Sequence, residues 1–353
     1  MIANFDTNAY IRAQLQTVNY DLQTPYIMQF NASVQRSFGD SFDVTAGYVG
    51  SRGRNLIRLG DANLAPETIV NGVKTYNPAA GRRNPAFTGV WQRMTDAKSF
   101  YDSLQVSLNR RYASGWRAQL SYTLSKSTDD ASGINSQDFS NNVQYVSDWY
   151  DLEHDRGLSA FDARHNVTAN ASWEIPFASG RKGVAGALFG RWQLNGIATL
   201  RSGHPFSVEL GFNRSGNLNT TGFSRHERPD LKPGCSDNPV LGGWERYWDV
   251  SCFQLPAVNT RGNLGRNTLI GPGLVAIDAS LVKSFPIGGS RTLQIKIEAF
   301  NLPNRANFAV PSGRIAFTGA AADGAPVVAP TWGRITSTVT TSRQLQLGAK
   351  LMF

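Results

Sequence analysis

The chain has 353 residues, with 35 Lys and Arg against 26 Asp and Glu, a formal charge of +9. No apolar run approaches eighteen residues, which excludes a transmembrane helix but not a β-barrel, half of whose strand residues face water. The arginines are scattered, so the excess reads as surface and lumen charge and nucleic acid is not an expected partner.

Met1 to Tyr10 has neither a basic segment nor an apolar core, so it does not read as a secretory signal, and the chain is expected to be an incomplete gene product. Residues 1–25 show no sustained period and are expected to be loop or peripheral structure. From Tyr26 the polarity alternates: Tyr26, Met28, Phe30, Ala32 and Val34 oppose Gln29, Asn31, Ser33 and Gln35. A period of two places successive side chains on opposite faces of a strand. After a turn at Gly39-Asp40, Phe42, Val44, Ala46 and Tyr48 continue the pattern. Residues 52–98 read as a long connection punctuated by Asn77-Pro78 and Asn84-Pro85. Leu104, Val106 and Leu108 then alternate up to a turn at 113–115, and Trp116, Ala118, Leu120, Tyr122 and Leu124 oppose Arg117, Gln119, Ser121 and Thr123.

Residues 126–163 form a second long connection, rich in acids that include Asp129, Asp130, Asp138, Asp148, Asp151, Asp155 and Asp162. Asp148, Asp151 and Asp155 are calcium-ligand candidates by oxygen chemistry, although no D-x-D-x-D-G spacing exists and a solvated loop accounts for them equally. Val167, Ala169, Ala171, Trp173 and Ile175 alternate with Asn170, Ser172 and Glu174. A Gly-rich segment, 178–189, leads to Trp192, Leu194, Gly196, Ala198 and Leu200, a strand that could run on to Leu210. Residues 211–274 are the longest connection and hold Cys235 and Cys252. These two can form a local disulfide outside the cytoplasm or remain free thiols.

A hairpin covers 275–300, with Val275, Ile277, Ala279 and Leu281 on one face. In its second arm Leu293, Ile295, Ile297 and Ala299 oppose Gln294, Lys296 and Glu298. After a connection at 302–342, the chain ends on alternating Leu345, Leu347, Ala349, Leu351 and Phe353. The reading is therefore an all-β, antiparallel up-and-down barrel segment of about nine strands. Short turns lie at one end and long loops at the other, the asymmetry of an outer-membrane barrel. The alternative is a soluble β-sandwich whose apolar faces meet across a dry core.

No enzyme signature is present: His154, His165, His204 and His226 fall in no metalloprotease or nucleophile-elbow motif, and no phosphate loop occurs. No cofactor is expected. Gln119, Ser121, Asn170, Glu174, Gln294, Lys296 and Glu298, on the polar faces, are candidates to line a substrate path.

Several segments resemble TonB-dependent outer-membrane receptors, more narrowly the Oar-like group with a carboxypeptidase-regulatory-like N-terminal domain. They are S-Y-T-L-S-K-S-T-D-D at 121–130, D-A-R-H-N-V-T-A-N at 162–170, G-R-W-Q-L-N-G-I-A-T-L-R-S-G-H-P-F at 190–206, R-N-T-L-I-G-P-G at 266–273, E-A-F-N-L-P-N-R-A-N-F at 298–308, G-R-I-T-S-T at 333–338 and the ending R-Q-L-Q-L-G-A-K-L-M-F. The resemblance implies a barrel of about 22 strands around a plug, of which this chain is the C-terminal wall, with plug and N-terminal domains outside it. It also implies energised uptake of an unknown extracellular substrate, contact with the TonB system only through the plug, and Phe353 as the signal for the barrel-assembly machinery. The alternative within the same barrel is a nontransporting envelope or surface-binding protein.

Overall fold

The computed structural model describes residues 14–132, 146–178, 183–220 and 227–353. Asp138 and His226 lie outside them, as does the Met1 to Tyr10 segment. Nine strands form an antiparallel meander in which each pairs with its sequence neighbour. They are β1 Tyr26–Phe38, β2 Phe42–Asp61, β3 Gly89–Ala113, β4 Trp116–Asp129, β5 His165–Ile175, β6 Trp192–Arg201, β7 Leu274–Gly288, β8 Arg291–Phe300 and β9 Gln344–Met352. Within the described residues the sheet does not close: β1 and β9 are its two edges.

Register keeps the two faces separate across the wall. Leu120, Ala169 and Ala198 lie in one row with Ile277, and Leu281, Ile297 and Leu347 in another. The opposite face carries the row Ser172, Asn195, Ser280, Glu298 and Gln346. Many large residues of the apolar face are solvent-accessible, among them Val34, Leu104, Leu120, Leu345 and Leu347. In a soluble sheet they would be the core; here, among the described residues, the apolar face has no second layer and is the surface offered to lipid. At the short-turn end, β3 and β4 are joined by Ser114 (φ 52°) and Gly115 (φ 81°). This two-residue turn with both φ positive matches the twist of a hairpin.

Several expectations need correction. Residues Gln14–Val18, expected to be loop or peripheral structure, form a strand parallel to Gly89–Arg93, off the main order of the sheet. Strands β2 and β3 run for 20 and 25 residues, well past the roughly 9–11 that cross a bilayer. The connection expected at 52–98 therefore shrinks to 62–88, and even that holds a hairpin of Glu67–Val70 with Val73–Tyr76. The upper parts of these strands stand above the hydrocarbon, so nothing selects an alternating pattern there. Strand β6 ends at Arg201 rather than Leu210; Pro205–Phe206 and Glu209–Leu210 pair instead within the loop region. The Gly-rich segment before β6 contains a short helix, Gly183–Phe189.

The main hydrophobic core cluster is not in the wall. Phe206, Val208, Leu210, Tyr247, Trp248, Phe253, Leu264, Leu269, Ala316, Phe317 and Ile335 form one buried cluster. All of them lie in the β6–β7 and β8–β9 connections, which the sequence presents as polar and Gly-rich loops. Hydrophobic burial thus builds a folded layer at the long-loop end.

Candidate functional site

The polar face and the loop layer above it make up the candidate site. Asn170 Nδ2 donates to Gln119 Oε1 at 3.5 Å, and Ser121 sits one step further along β4, between Ser107 and Thr168. Lys296 Nζ pairs with Glu298 at 2.7 Å, and Gln294 Nε2 donates to Ser284 Oγ at 3.2 Å. Glu174 lies near the short-turn end, opposite Gln193, and its backbone N–H donates to Gly115 O at 2.7 Å. The seven predicted residues share one face but divide into a β4–β5 group and a β8 group, separated by β6 and β7. Ile197 and Val282 interrupt the polar rows between them. They line a wall rather than converge on a point.

The loop layer has a charged framework that sequence reading missed. Arg228 Nη1 donates to Asp155 Oδ1 at 2.9 Å, with both side chains buried. Asp155 also accepts from the Ser147 backbone N–H at 2.5 Å and Ser147 Oγ at 2.8 Å. Arg228 completes its fork on Leu264 O and His154 O. Arg266 pairs with Asp129 and donates through Nε to Asp155 O. Arg261 reaches Asp151 at 2.7 Å and Asp148 at 3.4 Å; Asp148 further accepts from Tyr76 Oη at 2.6 Å and Lys74 Nζ at 3.1 Å.

The three calcium-candidate acids therefore face cations of the chain itself, and among the described residues no group of three or more His, Cys, Asp or Glu side chains is placed to hold a metal ion. Arginines 228, 261 and 266 are buried in the loop layer, which corrects their reading as surface or lumen charge. The available signal was an acidic run in one loop and arginines spaced through another.

Electrostatics follow from this framework. Burial alone would raise Asp155, but the Arg228 guanidinium and its other partners hold the carboxyl well below the usual range. Asp148 is likewise raised by burial and lowered more by Arg261 and Tyr76. Burial, with Arg228 and Arg261 nearby, pushes His154 down to about 3. Glu227 is raised by burial despite bonds from Ser215 and Arg214. Cys235 and Cys252 are joined by a disulfide within the layer, with Cα atoms 5.7 Å apart. Phe353 is exposed at the end of β9.

A wall with one lipid-compatible face, one polar face and a folded loop layer is the architecture of an outer-membrane barrel. Residues 2–346 match the model of the outer membrane beta barrel domain, and the chain belongs to that family. Its location is the outer membrane.

Among solved structures, the chain is similar to the outer membrane transporter YddB from Escherichia coli, with 11% identity, a TM-score of 0.49, and coverage of 94% of this chain and 33% of that one. The FrpB iron transporter from Neisseria meningitidis (F3-3 variant) is similar at 11% identity and a TM-score of 0.41, over 96% of this chain and 33% of that one. The chain thus spans about a third of the length of these structures. No curated protein matches it in sequence.

Proposed function

We propose that this chain is the C-terminal wall and extracellular mouth of a TonB-dependent receptor of the Oar-like group, taking up an extracellular substrate of unknown class. The observation that carries the reading is the pairing of a polar inner face with a folded loop layer at the long-loop end. That arrangement suits a wetted path below a structured entrance. The ordered sequence resemblances from residue 121 to the end support the narrower assignment. In this reading β1 pairs with a further strand of a larger wall, because an unpaired edge in hydrocarbon leaves backbone groups without partners. Energy reaches the barrel only through a plug, and Phe353 serves barrel assembly. The nontransporting alternative uses the same wall and draws on the loop layer, whose own core makes it a stable display surface.

The test is uptake by cells carrying the whole protein, with and without a functional TonB system. Loss of uptake without TonB supports the transport reading. Equal uptake in both strains rejects the energised mechanism, and surface binding without uptake selects the alternative.

A further inference from the structure

The outward face of β2 and β3 changes character abruptly. From Phe42 to Tyr48 the lipid-facing row of β2 is apolar, about 20 Å along the strand. The next residues on that row are Gly50, Arg52 and Arg54, facing Asp102 and Phe100 of β3 and Tyr26, Met28 and Phe30 of β1. Three guanidinium groups surround the Phe100 ring: Arg54 at 5.0 Å, Arg156 at 5.0 Å and Arg52 at 5.7 Å from its centroid. Arg52 also lies 5.3 Å from the Phe30 centroid.

The local acids do not account for all three. Asp102 accepts from Arg52 at 2.7 Å and from Tyr48, and Arg52 Nη1 donates to the Ser51 and Tyr101 carbonyls at 2.8 Å, so Arg52 contributes chiefly its charge. Arg156 has a 3.7 Å contact with exposed Glu153. Asp130, which also acts on Arg156, accepts from the Lys98 backbone N–H. The Arg54 side chain has neither an ion pair nor a hydrogen bond among the described residues, and its Nη1 is buried without a partner. A guanidinium held on an aromatic ring, with a donor withheld from water, is set to receive an anion.

We propose that Arg54, Arg156 and Arg52 form a site for the phosphate of an anionic lipid headgroup in the outer leaflet. Position and charge select the occupant. The cluster sits on the lipid-facing side, directly above the apolar band, where headgroups lie and soluble polyanions have no groove. A phosphomonoester supplies several acceptor oxygens to planar donors arranged as a fork, and its acyl chains continue down the apolar row to Tyr48, Ala46 and Val44. The inference rests on the outer-membrane location and is independent of transport.

The test uses the protein extracted from outer membranes and placed in nanodiscs of zwitterionic lipid doped with a phosphomonoester lipid. Retained lipid is counted by native mass spectrometry. Wild type should retain the phosphorylated lipid, and Arg54→Gln with Arg156→Gln should lower retention about tenfold, whereas Arg343→Gln should not. Arg54→Lys, which keeps the charge, should retain an intermediate amount. Should the double variant fail to fold, the wild type decides alone. Equal retention of the same lipid without its phosphate, displacement by an equal concentration of inorganic phosphate, or no retention at all would each overturn the proposal.

Discussion

Arg228 and Asp155 form an ion pair at 2.9 Å with side chains only 3% and 2% exposed, and they come from different loops. Asp155 belongs to the β4–β5 connection, Arg228 to the β6–β7 connection. Every polar atom of both side chains has a partner, Arg228 also donating to the Leu264 and His154 carbonyls and Asp155 also accepting from Ser147. A buried pair of this kind contributes little net stability over an apolar substitute, but removing one partner strands the other charge. It fixes which loop docks on which.

Replacing Arg228 by Met should therefore destabilise the loop layer by about 3–5 kcal/mol, through the uncompensated Asp155 carboxylate. Adding Asp155→Leu should recover much of that loss. Limited proteolysis of the folded protein measures both: the single variant should be cleaved in the 130–164 and 202–273 connections while the wall strands stay intact. Equal resistance of Arg228→Met and wild type would refute the pair's role.

His154 makes the same layer sensitive to pH. Its folded pKa is depressed to about 3, below an unfolded value of about 6.5. As pH falls below about 6.5 the unfolded chain takes up a proton that the folded layer refuses. Stability is therefore lost as pH falls toward 3, with a slope of at most about 1.4 kcal/mol per pH unit. Asp155, whose folded pKa is also lowered, adds to the loss at the acid end of this range. Hydrogen-exchange protection of loop peptides, taken relative to the intrinsic exchange rate at each pH, should fall from pH 7 to pH 4 in wild type and much less in His154→Gln.

The wall was legible in the sequence and the loop layer was not, for a physical reason. Lipid on one side and water on the other impose a period of two on Leu120, Tyr122 and their neighbours, and that period is visible in one strand at a time. Nothing comparable marks Ser51 to Asp61 or Gly89 to Ser99, where β2 and β3 extend beyond the apolar band. The core residues Phe206, Trp248, Phe253, Phe317 and Ile335 are spread over about 130 residues of Gly- and Asn-rich chain, so their contacts are long-range and no local pattern announces them. The same holds for the pairing of Asp155 with Arg228: Asp155 stands out only as one acid of an acidic run, and nothing in that run points to Arg228.

Cys235 and Cys252 close a short loop at a sequence separation of 17. By chain entropy, opening it should cost the layer about 3 kcal/mol. Cys252→Ser should raise protease cleavage between 235 and 252 in otherwise folded protein, and reductant should have the same effect on wild type. A variant as resistant as wild type would show that packing around Phe253 alone holds the segment.

Topology can be read in intact cells. Val258 is exposed in the β6–β7 connection, and Asp40 is exposed in the β1–β2 turn. The two native cysteines are bonded to each other, so an added thiol is the sole reactive one among the described residues. Val258→Cys should react with a membrane-impermeant maleimide on whole cells, and Asp40→Cys only after the outer membrane is opened. The reverse pattern would invert the barrel, and labelling of both in intact cells would remove the wall from the membrane.

The sharpest discrimination comes from two large apolar residues with opposite environments. Trp248 is fully buried, packs edge-on to Phe253 at 5.5 Å between ring centroids, lies 5.4 Å from the Trp332 centroid, and donates its indole N–H to Gly313 O at 3.2 Å. Leu347 is 77% exposed on the lipid-facing side of β9. In a soluble sandwich, Leu347 would lie in the core and its loss would be costly. In a barrel wall, truncating Leu347 leaves lipid to fill the space. Trp248→Ala should thus destabilise the loop layer by about 3–5 kcal/mol, whereas Leu347→Ala should cost about 1 kcal/mol or less in a bilayer. Denaturant titration in nanodiscs, with one probe in the loop layer and one in the wall, measures the two separately. If Leu347→Ala proves as damaging as Trp248→Ala, the apolar face of β9 packs against protein and the lipid-facing assignment fails.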